Sequence, residues 1–138
     1  MPALVIDSSV AMAWCFDDEA TDGTWRVLDR LEEETAVVPS LWHLEIANVL
    51  ALAERKRRIT AAKVAEFVDL IDTLPIEVDP ETQGRALAQT LELSRAQHLT
   101  AYDAAYLELA MRAGLPLATT DRELRRAAAK LGVSLLGT

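Results

Sequence analysis

The chain has 138 residues, 51% of them hydrophobic, which is about one domain's length with ample material for a folded core and excludes a disordered chain. Fourteen Lys and Arg against 22 Asp and Glu leave a formal charge of −8, so a broad basic surface for nucleic acid is ruled out and any polyanion must be met locally. The longest unbroken apolar run, Val10–Phe16, is far short of the roughly 20 residues of a membrane span, and Met1–Asp7 lacks the basic start of a secretory signal, so a cytoplasmic location is expected.

In chain order, Ala3–Ile6 is a short apolar run rich in β-branched residues that hands over to a helix at Asp7-Ser8-Ser9. Cys15, the lone cysteine, lies in the apolar run of that helix; it excludes an intramolecular disulfide and reads as a buried thiol. Thr21–Glu34 carries Trp25, Leu28 and Leu31 at helical spacing, and Ala36–Val38 ahead of Pro39 reads as a buried strand. Ser40 is expected to cap a long helix reaching about Arg58, and Thr60 a second helix ending before Pro75, the two forming a hairpin. Pro75–Pro80 holds a short strand, Glu81–Ala96 a helix, and Thr100–Ala113 a further helix closed by Gly114. Leu115–Thr119 reads as a strand, Asp121–Leu131 as a helix and Gly132–Leu136 as a last strand. Short buried strands alternating with helices predict one α/β domain over residues 1–138, a parallel sheet of four or five strands sandwiched by helices.

Four acids stand at the ends of these elements. Asp7 follows the first strand, where open parallel sheets bind ligands, although a turn or cap role would also explain it. Glu45 shares a helical stripe with Leu41, Asn48 and Leu52, so its carboxylate among apolar neighbours needs a partner, a proton, a cation or a route to water. Asp103 has capping-box spacing from Thr100, and Asp121 is a good N-cap for the final helix. Taken singly, caps explain the last two. Yet both open helices after chain reversals, where the dipole favours anions and a doubly wound fold gathers them near Asp7, and carboxylates with hydroxyls beside them and no His or Cys form an oxygen-only ligand set suited to Mg²⁺ or Mn²⁺.

With these residues in place, the chain resembles the PIN-domain ribonucleases, and among them the VapC-like toxins of bacterial toxin–antitoxin pairs. Asp7-Ser8-Ser9 resembles the family's opening motif, Glu45 with Asn48 its second acid, Asp103 within Thr100-Ala-Tyr-Asp-Ala-Ala-Tyr106 its third, and Asp121, two residues after Thr119, its fourth. The likeness runs in order over essentially the whole chain. It implies an acidic pocket binding Mg²⁺ or Mn²⁺, cleavage of single-stranded RNA, a homodimer, and inhibition by a small VapB-like antitoxin. On this reading Asp7, Glu45 and Asp103 are the primary metal-binding acids, Asp121 is a further ligand or water-positioning acid, and Ser8, Asn48 and Thr119 support them. One ion or a pair would serve.

Arg122, Arg125 and Arg126 start close to Asp121 and are candidates to guide an RNA strand, whereas Arg55-Lys-Arg-Arg58 at a helix end is either solvated or a phosphate contact. Trp14, Trp25 and Trp42 fit core or interface better than base stacking. Trp25, Trp42 and the hairpin offer more apolar surface than one small core covers, which favours a two-fold dimer. The alternatives are a non-catalytic acidic interaction module and an Asp-dependent phosphatase. The second is disfavoured because position 9 is Ser, not the second Asp of an Asp-x-Asp motif.

Overall fold

The computed structural model describes residues 1–138. Strand β1 (Pro2–Ile6) leads into α1 (Ser8–Cys15) and α2 (Asp22–Arg30), then β2 (Thr35–Val38), the hairpin α3 (Trp42–Arg55) and α4 (Ala61–Thr73), and β3 (Ile76–Val78). Helix α5 follows in three pieces, Thr82–Arg85, a π-helical stretch Ala86–Thr90 and Leu91–Gln97. Next come α6 (Ala101–Ala113), β4 (Leu117–Ala118), α7 (Arg122–Lys130) and β5 (Leu135–Leu136).

The five strands form one parallel sheet in the order β3-β2-β1-β4-β5, with Val5 opposite both Val37 and Leu117. The chain winds outward from β1 through β2 to β3, then returns to the other side of β1 for β4 and β5. Right-handed crossovers therefore place α1–α4 on one face and α5–α7 on the other, and the switch point lies between β1 and β4. Because helices cover both faces, the central strands are apolar throughout: Leu4, Val5, Ile6, Ala36, Val38, Leu117 and Ala118 are all fully buried.

Local chemistry explains most boundaries. Thr21 and Thr24 cap α2 reciprocally, Thr60 accepts from the Lys63 N–H to start α4, and Gly114 ends α6 in the left-handed region at φ 67°. The expected Ser40 cap is not made. The Ser40 N–H instead donates to Thr82 Oγ1 at 3.2 Å, and α3 begins two residues later without a side-chain cap. It also ends at Arg55, because Arg57 turns left-handed at φ 58° to start the hairpin bend. Trp14 and Trp42 are core residues as expected; the Trp14 indole N–H donates to the Thr24 carbonyl at 2.8 Å and ties α1 to α2. Cys15 is half-buried rather than buried, and what burial it has raises its thiol pKa. No helix is long and apolar enough to cross a membrane.

Candidate active site

The switch point puts Asp7, just past β1, beside Thr119, just past β4. The Asp7 N–H donates to the Ala118 carbonyl at 3.0 Å, which locks the two strand ends together. Asp7 caps α1 by accepting from the Val10 N–H at 3.2 Å, so the cap reading of this residue is correct as far as it goes. Its carboxylate also accepts from Ser9 Oγ at 2.6 Å and Thr119 Oγ1 at 2.5 Å, although the residue is only 3% exposed. Burial dominates over these hydrogen bonds and pushes its pKa from 3.8 up to about 6, with the charge of Asp103 adding to the rise.

The other acids arrive from three further elements. Glu45, on the first turn of α3, is half-buried and accepts from the phenol of Tyr106 on α6, a bond that crosses from one helical layer to the other. The stripe predicted around Glu45 is a rim, not a buried face: Trp42, Ile46, Leu50 and Ala53 face the core, while Asn48 and Leu52 are exposed. Thr100 caps α6 through the Asp103 N–H at 3.1 Å, but the reciprocal half of the capping box is absent, and the Asp103 carboxylate has no hydrogen-bond partner. Burial, then the charges of Asp121 and Glu45, push its pKa up to about 6. Asp121 caps α7 through the Leu124 N–H at 2.8 Å, and its own N–H donates to Thr119 Oγ1 at 3.0 Å.

Asp103 thus links the predicted acids at the carboxyl end of the sheet, feeling the charges of Asp121 and Glu45 and passing its own to Asp7, although no three acidic, histidine or cysteine side chains converge as a coordination shell. Asp7, Glu45 and Asp121 each accept a hydrogen bond from a protein donor, and only Asp103 does not. The donor chemistry fits a hard divalent cation, being carboxylate and hydroxyl oxygen throughout.

The supporting residues differ from expectation. Ser9, not Ser8, bonds Asp7, and it also receives the Thr120 N–H at 2.9 Å. Ser8 lies instead by the Tyr106 hydroxyl, and Asn48 is exposed with no hydrogen bond. Tyr106 went unrecognised; its signal was there, since three residues after Asp103 is the same helical stripe. Of the three candidate arginines, Arg125 donates to the Thr119 and Leu136 carbonyls at 2.7 and 3.0 Å, and Arg126 to the Gln97 carbonyl and Glu123. Arg122 is exposed and makes no ion pair. In the other basic run, Arg58 bridges Asp18 and Glu19 and lies 3.9 Å over the Phe16 ring.

The sequence model of one family, PIN domain, matches residues 4–130. The chain belongs to the PIN domain family. Membership places it among hydrolases acting on nucleic acid. The PIN fold is matched by solved structures of PAE2754 from Pyrobaculum aerophilum (24% identity, TM-score 0.71, covering 97% of this chain and 83% of that one) and VapBC2 from Rickettsia felis bound to a DNA fragment from their promoter (12%, 0.65, 96% and 96%). FitAcB from Neisseria gonorrhoeae is a third (17%, 0.64, 96% and 95%). No curated protein sequence matches this PIN domain.

Proposed function

We propose that this PIN domain is a metal-dependent endoribonuclease toxin that cuts single-stranded RNA in the cytoplasm and is neutralised by a small antitoxin. One observation carries the reading: Asp103, whose carboxylate makes no hydrogen bond, stands at the switch point of the sheet within reach of the charges of Glu45 and Asp121, and its own charge reaches Asp7, so acids from four different elements share one site. Asp7, Glu45 and Asp103 would hold Mg²⁺ or Mn²⁺, with Asp121 as a further ligand or water-positioning acid. The ion supplies an activated water and counter-charge for phosphodiester hydrolysis. The chain's own groups do the rest. Ser9 and Thr119 fix both oxygens of Asp7, Tyr106 orients Glu45, and Asp103 is left free to turn. Arg125 holds Thr119 through its carbonyl and so holds the Asp7 clamp. Ser8 and Asn48 complete the proposed set on the nearby turns of α1 and α3.

The antitoxin is supported by the likeness to VapBC2 and FitAcB, which are toxin–antitoxin assemblies. A homodimer is supported by the hairpin, where Leu44 is 73% exposed and Leu52 and Val68 are also uncovered. Trp42 is fully buried within its own chain and does not contribute. The test is to express the chain alone and map cellular RNA ends. New ends absent from an Asp103→Asn strain support the reading; unaffected growth and RNA with folded protein refute it.

A further inference from the structure

A nuclease site built of acids must still attract a polyanion, and the groups that bind a strand have to stand outside the cluster without being consumed by the fold. Tyr106 fixes the direction of one face of α6, because its hydroxyl reaches Glu45 on α3 and lies by Ser8 and the charge of Asp7. Side chains four residues apart share a helix face, and each leans toward the helix N-terminus. Tyr102 therefore stands on the same stripe, one turn further out, next to Asp103. Unlike Tyr106, which is 1% exposed, Tyr102 is 63% exposed and makes no hydrogen bond. It is the large aromatic side chain most exposed to solvent, while Trp14 and Trp42 are buried. Asp121, whose charge reaches Asp103, is followed directly by Arg122, an exposed guanidinium that makes no ion pair.

We infer that Tyr102 is a stacking platform for an unpaired base of the substrate, with Arg122 holding a neighbouring phosphate, so that the strand is drawn across the acid cluster between them. The inference rests on the nuclease reading and deepens it. Stacking needs a base with a free face, so it selects single strands over duplex and tolerates any base. The phosphate contact offsets locally what a chain of charge −8 repels at long range.

The test uses the purified chain and a short single-stranded RNA carrying 2-aminopurine, with binding read by fluorescence in chelator and cleavage read with Mg²⁺. Tyr102→Ala is expected to weaken binding and raise KM by roughly 5- to 100-fold with kcat little changed, and Tyr102→Phe to restore both. Arg122→Gln is expected to weaken binding and to lower the slope of log affinity against log salt by about 1. Melting temperature and Mg²⁺ affinity stay at wild-type values in all three. If wild type binds and cuts but Tyr102→Ala matches it, or Tyr102→Phe fails to rescue, the stacking role is wrong and the nuclease reading stands. If Tyr102→Ala instead changes only the oligomeric state, the ring is an interface residue and the inference is overturned. A wild type that neither binds nor cuts overturns both.

Discussion

Replacing Asp7 by Asn separates a catalytic acid from a structural cap, because the two roles give stability changes of opposite sign. A carboxyl pKa raised from 3.8 to about 6 means that the folded state binds a proton more tightly than the unfolded state. Ionising Asp7 therefore opposes folding, and the penalty grows as pH rises from about 4 and is complete above about 6. With 1.36 kcal/mol for each pH unit, the full penalty is roughly 3 kcal/mol. Asn is as good an N-cap as Asp, so its Oδ1 keeps the Val10 N–H, and Thr119 must turn its hydroxyl round to accept. Urea unfolding in chelator should show Asp7→Asn more stable than wild type at pH 7.5 by about 1–3 kcal/mol, with the gain falling by about half at pH 5. A variant destabilised by about 0.5–2 kcal/mol at both pH values, the cost of a lost cap, would refute the reasoning.

Tyr106→Phe deletes only the hydroxyl that meets Glu45, so it should cost about 1–3 kcal/mol at neutral pH, and a double-mutant cycle with Glu45→Gln should show coupling. Arg125→Met frees the Thr119 and Leu136 carbonyls; loss of about 1–2 kcal/mol in urea melts, with an unchanged salt dependence of RNA binding, is expected of a residue that braces the site. Arg112→Met strands the buried Asp79 and Glu108, and circular dichroism should record a loss of about 3 kcal/mol. Mg²⁺ or Mn²⁺ should raise the melting temperature of wild type and raise that of Asp103→Asn much less, since only an ion bound by the native state stabilises it.

The fold was legible in the sequence because the central strands are short apolar runs and most helices begin at a side chain that caps. Ser40 misled because a good capping residue also serves as a contact elsewhere, here with Thr82, and that pairing spans 42 positions of sequence. The four acids were legible by their places at element ends. Their supports were less so, since Ser8 and Ser9 are equivalent in sequence until helix α1 turns one toward Thr119. The helical stripe from Asp103 points to Tyr106, but its partner Glu45 lies 61 positions away and is set by the docking of α6 against α3, which no local pattern encodes. The bracing role of Arg125 is hidden from the sequence for a related reason: the end of β5 brings the Leu136 carbonyl to it from 11 positions away.

The central claim is that the acid cluster hydrolyses RNA with a divalent ion. Asp103 is the acid to test, because its carboxylate makes no hydrogen bond and its loss removes charge without removing a structural contact. Purified wild type and Asp103→Asn, matched in circular dichroism, are incubated with single-stranded RNA in Mg²⁺ or Mn²⁺, with and without chelator. The account predicts cleavage by wild type that both the chelator and the substitution abolish. Equal cleavage by Asp103→Asn, or a folded wild type that leaves every RNA intact, would contradict it.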